Sequence, residues 1–244
     1  MNTKTIFIIL AFMNVLCLQS NAGDAIRLSS GEWPPYLSKK LPDYGILSKI
    51  VSEAMDIEGV TVQYVFMDSW KRGYVMTRKG VYEGAIGWTR SVEREKDFYF
   101  SDPILHYSNV FFYRKSSPIK WQTLEDISRY HVGVTNGYFY GDAFSFLMSQ
   151  GNIKSFTAYS DLDSIKNLIN GRVDTAIVER VVGLYLLKTS FSQKVNRSVS
   201  HHPHPLQKAP INVVISKALP EERAFHLIRS INKGLGRLKQ NGRY

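Results

Sequence analysis

The pattern of hydrophobic and polar positions divides the first half of the chain into short strands and amphipathic helices. Residues 60–66 alternate apolar and polar side chains over most of their length, which is the period of a strand. Residues 46–55 place their apolar side chains at spacings of three and four, which is the period of a helix. Short apolar runs at 25–29 and 84–86 predict two further strands, and a short helix is expected from Asp68 or Ser69. The order of elements is therefore strand, helix, strand, helix, strand. This order favours an α/β sheet with helices on its faces.

A second set of elements follows the first. Apolar runs at residues 131–135 and 173–178 predict strands, and between them Ser160 or Asp161 can begin a helix that ends at Gly171. Further elements are expected as short helices near 121–127 and 181–187, a last strand at 211–216, and a long helix from Pro220 to Asn241. The chain is therefore expected to contain two consecutive α/β units.

The first 22 residues have the composition of an export signal. Lys4 precedes an apolar run over residues 6–18, and small and polar residues lead to a predicted cleavage site after Ala22. The run is shorter than the ~20 residues that a membrane span needs. Cys17 is the only cysteine and lies inside this segment, so the mature chain is expected to have no disulfide. Lipid attachment at Cys17 is an alternative, although the residues before it lack the small side chain that processing prefers.

The charge of the chain is basic but dispersed. There are 31 Lys and Arg residues against 21 Asp and Glu, a formal net charge of +10. No dense run of basic residues occurs, so nucleic-acid binding is not expected. Basic charge on an exported protein suits anionic ligands, and the alternative is a host that makes basic proteins in general.

Residues 84–103, which read GAIGWTRSVEREKDFYFSDP, carry the most specific chemistry. Thr89 offers a hydroxyl, and Arg94 offers a planar guanidinium that can make two parallel hydrogen bonds to a carboxylate. Arg90 lies among charges of alternating sign and is expected to face solvent. The alternative for the whole segment is a surface turn with scattered ion pairs.

This segment resembles the family 3 extracellular solute-binding proteins, in which the Thr or Ser and the Arg hold the α-carboxylate of an amino acid. The resemblance extends from Ala25 to the last helix. It implies the periplasmic-binding-protein fold of the second type, with two α/β lobes joined by two crossover strands and the ligand between them. Residues 1–22 would be the signal peptide, 23–107 plus 210–244 lobe one, and 111–205 lobe two. The crossings are expected near 106–110 and 203–209.

The resemblance also implies further ligand-binding residues. Trp33 and Trp70 stand where the family places aromatic rings on either side of the ligand, and Glu179 stands where a carboxylate binds the ligand's α-amino group. Tyr138 and Phe139 stand where the family usually has two Thr, so a bulkier or more aromatic ligand is expected. Both Trp residues could instead be core, and Glu179 could form a surface pair with its neighbour Arg180.

The expected function is a non-catalytic periplasmic receptor. It would capture an amino acid or related carboxylate by hinge closure, as a monomer without cofactor or metal, and deliver it to an inner-membrane ABC permease. One alternative is a stand-alone periplasmic sensor of the same fold. Another is a dehydratase-like enzyme that uses Glu179 as general acid or base, with Lys71 near the cleft. A metal site at His201, His202 and His204 is a weaker alternative, because adjacent His in a Pro-containing connection more often form a solvated loop.

Overall fold

A computed structural model describes residues 24–243. The predicted export signal, its cleavage site and Cys17 lie outside the described residues. The described part contains ten strands: β1 (Asp24–Ser30), β2 (Val60–Phe66), β3 (Gly84–Trp88), β4 (Phe98–Phe100), β5 (Leu105–Arg114), β6 (His131–Thr135), β7 (Lys154–Ala158), β8 (Thr175–Glu179), β9 (Val199–His201) and β10 (Gln207–Ser216). Its eight α-helices are α1 (Ile46–Ile57), α2 (Trp70–Arg78), α3 (Val92–Asp97), α4 (Asp142–Ser149), α5 (Asp161–Ile169), α6 (Arg180–Ser190), α7 (Gln193–Ser198) and α8 (Glu221–Gln240). Short 3₁₀ helices cover Pro42–Tyr44 and Leu124–Arg129.

The strands form one mixed sheet in the order β2-β1-β3-β10-β5-β8-β6-β7, with β4 paired to β10 and β9 paired to β5. At one end β1 runs parallel to β2 and β3, and at the other end β6 runs parallel to β7 and β8. We call β1–β4 the first strand group and β6–β9 the second strand group. The α/β class predicted from the hydrophobic pattern is confirmed.

Two long antiparallel strands connect the groups. The first half of β10, Gln207–Ile211, pairs with Leu105–Asn109 of β5. Its second half then pairs with β3 and β4, while β5 continues from Asn109 to Tyr113 along β8. A register shift in β10 between Asn212 and Val213 marks its change of partners. Each long strand therefore belongs to both groups.

Helices bury the faces of both groups. The apolar side of α1 packs against β2 and β3 and against α8, whose Leu227, Ile231, Leu235 and Leu238 are at most 1% exposed. In the second group α5 packs against β6 and β8 through Ile165 and Leu168, which are fully buried. No helix among residues 24–243 is long and apolar enough to cross a membrane.

Most of the predicted elements appear with small changes of boundary. The helix expected near 121–127 is instead the 3₁₀ helix Leu124–Arg129, and the strand expected at 173–178 is β8, Thr175–Glu179. This shift makes Glu179 the last residue of β8, directly before α6. Its carboxylate thereby becomes available to cap that helix.

Candidate ligand-binding cleft

A cleft of about 510 Å³, counted out to open solvent, lies where β3, the long strands β5 and β10, and the loop after β6 meet. Its twelve lining residues come from both strand groups and from the strands that join them. They are Trp33, Trp70, Gly87, Trp88, Thr89, Arg94, Tyr107, Asn109, Gly137, Tyr138, Phe139 and Ile211. Six of the seven ligand-binding residues expected from the sequence are in this set, and Glu179 is outside it.

Arg94 is the one charged residue among those that line the cleft, and it has no acidic partner within residues 24–243. Ser91 begins α3 as its N-cap, and Arg94 lies in the first turn. Its Nη1–H donates to the Thr89 carbonyl oxygen at 3.0 Å and to Thr89 Oγ1 at 2.8 Å. Within residues 24–243, no Asp or Glu oxygen lies within 4.0 Å of the guanidinium. Burial lowers the pKa of Arg94 below its ordinary value, because the charged form has lost water.

Aromatic rings enclose the guanidinium of Arg94. Its Cζ lies 4.8 Å from the centre of the Trp88 ring and 5.9 Å from that of Phe139. Both distances are within the range of a cation–π contact. Phe139 therefore lines the cleft opposite Arg94 with its ring, although it has no side-chain donor.

A tight turn positions Trp33. The Trp33 N–H donates to the Leu37 carbonyl oxygen at 2.7 Å, and the Leu37 N–H donates back to the Trp33 carbonyl oxygen at 3.1 Å. The Trp33 ring is 7% exposed and lies 5.9 Å from the Tyr107 ring in an edge-on arrangement. Trp33 is thus at once part of the core and a wall of the cleft.

Two glycines make room for Trp70, which begins α2. A Cβ on Gly31 would lie 2.6 Å from Trp70 Cε2, and a Cβ on Gly87 would lie 3.3 Å from Trp70 Cη2. Gly87 also has a φ of +89°, a conformation that other residues rarely adopt. Because the indole rests directly on backbone at both positions, its orientation is fixed.

A second compartment, which contains Asp161 and measures about 1050 Å³ counted out to open solvent, shares Trp33, Trp70 and Tyr138 with this cleft. The Tyr138 hydroxyl donates to Asp161 Oδ2 at 3.2 Å, and Thr135 Oγ1 donates to Oδ1 at 2.8 Å. Burial raises the pKa of the Asp161 carboxyl to about 6, even though these donors and the nearby Trp33 side chain lower it. The phenol hydrogen of Tyr138 is directed to Asp161 rather than to a ligand in the cleft.

Glu179 is turned away from the cleft lining. Its Oε2 accepts from the Val182 N–H at 2.8 Å, which caps α6, and its Oε1 accepts from the Ser108 N–H at 3.4 Å. The residue is 3% exposed, and burial raises its pKa. Burial and the Glu179 charge also raise the pKa of the neighbouring Tyr36 hydroxyl. The role of Glu179 as the ligand for an α-amino group stays a prediction.

The remaining residues singled out from the sequence lie elsewhere. Arg90 is exposed, as expected, and pairs with Glu95 at 2.6 Å. Lys71 is exposed and is not part of the cleft lining. In the HHPHP segment, His201 packs on Phe112 and His202 on Trp121. No group of three His, Cys, Asp or Glu residues in the described part of the chain could hold a metal ion.

Six of the twelve lining residues are not among the ligand-binding residues expected from the sequence, and three of them have aromatic or polar side chains: Trp88, Tyr107 and Asn109. Trp88 is on β3, while Tyr107 and Asn109 are on β5, in the crossing expected near 106–110. Their side chains reach the cleft because β5 crosses between the strand groups at this point. Alternation along β5, which directs Tyr107 and Asn109 to the same face, was the available signal.

Comparisons with known proteins identify the family. Residues 29–244 match the family described as bacterial extracellular solute-binding proteins, family 3. No curated protein shows a significant sequence match to the chain.

Solved structures show the same fold at low sequence identity. A histidine kinase sensor domain with similarity to periplasmic binding proteins has a TM-score of 0.75 at 18% identity, with 91% of this chain and 93% of that chain covered. An ancestral arginine-binding protein bound to arginine has a TM-score of 0.73 at 22% identity, with 89% and 93% covered. The substrate-binding protein of an amino acid ABC transporter has a TM-score of 0.71 at 21% identity, with 89% and 94% covered. The chain therefore belongs to family 3 of the bacterial extracellular solute-binding proteins and has their two-lobe α/β fold with two crossover strands.

Proposed function

We propose that this protein captures a small solute by its carboxylate in the cleft at Arg94. The observation that carries the proposal is a partly buried guanidinium without an acidic partner among residues 24–243. A buried charge without a partner is costly, and an anionic ligand would supply that partner. Only Nη1 is used by Thr89, so Nη2 and Nε keep their donors for two parallel bonds to a carboxylate.

Capture would proceed by closure of the two lobes, residues 23–107 plus 210–244 and residues 111–205. Thr89 and Arg94 would hold the ligand from lobe one, while Tyr138 and Phe139 would cover it from lobe two. The long strands β5 and β10 join the two strand groups and would carry the hinge. A ligand that contacts both lobes stabilises the closed form relative to the open form.

The partner of the loaded protein would be an inner-membrane ABC permease, and the protein would act in the periplasm as a monomer without a cofactor. Membership of an extracellular solute-binding family supports this location, and the match to the substrate-binding protein of an amino acid ABC transporter is consistent with this partner. A periplasmic sensor is the second candidate, favoured by the structural match to a histidine kinase sensor domain. Both functions use the same cleft and differ in the protein that recognises the closed form.

The test begins with a thermal-shift screen of the mature protein against amino acids and related carboxylic acids, because a ligand that binds the folded state raises its melting temperature. Calorimetric titration then compares Arg94→Ala, Arg94→Lys and Arg90→Ala. Arg94→Ala should lose roughly 2–5 kcal/mol of binding free energy, since the ligand carboxylate is left without its charged partner. This corresponds to about a thirtyfold to several-thousandfold weaker Kd.

Arg90→Ala is the matched control, because Arg90 is close in sequence but exposed and paired with Glu95. It should change the Kd little. Arg94→Lys should recover only part of the loss, since an ammonium cannot make two parallel bonds. Tight binding by a folded Arg94→Ala variant would refute the proposal. Uptake of the ligand in cells lacking the gene, compared with ligand-dependent signalling, separates the importer from the sensor.

A further inference from the structure

The lining of the cleft carries a positive charge and no negative one. Arg94 is its only charged residue, and none of the twelve lining residues is Asp or Glu. An α-amino acid would bring an ammonium group as well as a carboxylate into this space. Burial of an ammonium requires an anion or several well-placed acceptors, so the charge of the lining disfavours a zwitterion.

Glu179, the carboxylate expected to receive the ammonium, is already in use. Both of its oxygens accept backbone N–H groups, and it is the N-cap of α6. Rotation toward the cleft would break the bond from the Val182 N–H and leave the first turn of α6 without its cap. Tyr36, which lies against Glu179 and is 8% exposed, further separates the carboxylate from solvent.

Asp161 is the other buried carboxylate near the ligand, and it lies in the second compartment rather than in the cleft. It accepts hydrogen bonds from Thr135 and Tyr138, and Tyr138 lies in the wall that both spaces share. Neither Asp161 nor any other Asp or Glu is among the twelve residues that line the cleft, so an ammonium held near Arg94 would have no acidic residue in that lining to pair with.

The remaining surface of the cleft is unusually rich in rings. Six of the twelve lining residues are aromatic: Trp33, Trp70, Trp88, Tyr107, Tyr138 and Phe139. Aromatic side chains stack on flat rings or meet them edge-on, so a ligand with a flat ring would gain contacts here that a short aliphatic acid cannot make.

We propose that the ligand is an aromatic carboxylic acid without an ammonium group, with its carboxylate on Arg94 and its ring between the aromatic walls. This inference rests on the proposed function, because it assumes that Arg94 holds a carboxylate. It narrows the class of ligand from amino acids and related carboxylates to hydroxy, oxo or unsubstituted acids that carry a flat ring.

The experiment uses matched acids that differ only at Cα. Calorimetry at pH 7.5 compares phenyllactate with phenylalanine, hydroxyphenyllactate with tyrosine, and indolelactate with tryptophan, each in the L configuration. In at least one pair the hydroxy acid should bind at least about tenfold more tightly than the amino acid. That hydroxy acid should also bind at least about tenfold more tightly than L-lactate, which has the same carboxylate and hydroxyl but no ring.

Other outcomes overturn the inference. If the amino acid binds as tightly as the hydroxy acid in all pairs, the ammonium is accepted and the inference is wrong. If none of the six aromatic acids binds, or if lactate binds as well as they do, the aromatic class is wrong. Arg94→Ala, with Arg90→Ala beside it, shows whether the proposed function fails too. If a ligand of another class binds the wild type and Arg90→Ala but not Arg94→Ala, the proposed function stands and only the inference fails. If a ligand binds Arg94→Ala as tightly as the wild type, both the proposed function and the inference are refuted.

Discussion

Arg94 and Asp161 are two charged side chains that the fold removes from water, and their surroundings differ. Arg94 keeps unused donors and has no counter-charge, so a ligand can improve its surroundings. Asp161 has two hydroxyl donors, yet burial still raises its pKa to about 6. Arg94 is therefore suited to recognition, while Asp161 makes folding sensitive to pH.

Asp161 should make the folded protein less stable as the pH rises from about 4 to about 6. Its pKa in the folded state is about 6, above the ordinary 3.8, so the folded state retains the proton over this interval while the unfolded state releases it. Its favourable contribution is complete below about pH 4 and is lost above about pH 6. Between pH 4 and pH 7 the wild type should lose about 2–3 kcal/mol more unfolding free energy than Asp161→Asn.

Urea unfolding at several pH values measures this difference. Asp163→Asn is a suitable control, since Asp163 lies on the same helix, is only half-buried and pairs with Lys166. Its pH profile should follow that of the wild type. Parallel profiles for the wild type and Asp161→Asn would show that the Asp161 carboxyl does not retain its proton in the folded state.

Trp33 and Trp70 should each contribute to ligand affinity through their rings. Trp33→Ala or Trp70→Ala should weaken binding by about 1–3 kcal/mol, the scale of a buried aromatic contact. Ligand binding should also change tryptophan fluorescence in the wild type. Trp121, which is outside the cleft lining and packs on Phe111, provides the control: Trp121→Phe should leave the Kd unchanged. Unchanged affinity in both alanine variants would mean that the ligand lies elsewhere.

At the residue scale, contacts could be predicted from the sequence where the residue type and its immediate neighbours determine them. Thr89 and Arg94 are five positions apart, and the N-cap at Ser91 folds the intervening residues so that the two side chains meet. The Tyr138–Asp161 contact was not predicted, because it joins the loop after β6 to the first residue of α5, 23 residues further along the chain. The position of Glu179 depended on where β8 ends, which the apolar pattern does not define to the residue.

At the scale of elements, α8 packs so closely on α1 that only glycine fits at the contact. A Cβ on Gly234 would lie 2.0 Å from the Ala54 carbonyl oxygen, whereas a Cβ on Gly236 would meet nothing within 4 Å. Both glycines lie in the same helix, two residues apart. Substituting each glycine in turn therefore distinguishes the effect of close helix packing from the cost of glycine in a helix.

Gly234→Ala should destabilise the protein by at least about 1–3 kcal/mol, because the added methyl group forces the two helices apart. Gly236→Ala should stabilise it by about 0.5–1 kcal/mol, since alanine loses less backbone entropy than glycine in a helix. Chemical denaturation of the two variants and the wild type measures both changes. If both substitutions stabilise the protein, the contact between α1 and α8 is looser than described.

Most of the elements that the sequence did not predict are short, and the exception is α4, a helix of eight residues. α3, α7, β4 and β9 have six residues or fewer, and α3 and α7 bury no side chain fully. Their sequences carry too few apolar positions to show a period, and serine N-caps and pairing with the long strands define them instead. The long helix α8 was predicted to within a residue or two, because four turns of apolar side chains repeat along it.

At the scale of the whole molecule, ligand should make the protein more compact. Because the cleft has walls from both lobes, the proposed mechanism has an open form without ligand and a closed form with it. Small-angle scattering should show a smaller radius of gyration when a ligand from the thermal screen is added. Arg94→Ala at the same ligand concentration should keep the larger value. An unchanged radius in the wild type at saturation would contradict the hinge mechanism.

The position of β10 has a consequence for how the chain folds. It is the last strand, yet it lies between β3 and β5 in the sheet, and it pairs Val214 with Ala85 and Gln207 with Asn109. These pairs are separated by about a hundred residues or more, and contacts of such range form slowly because a long loop must close first. Strands β3 and β5 are synthesised before β10, so they lack the strand that lies between them until synthesis of the chain is nearly finished. A polypeptide that ends before residue 207 should remain open to proteases, and the complete chain should acquire resistance only after β10 has inserted.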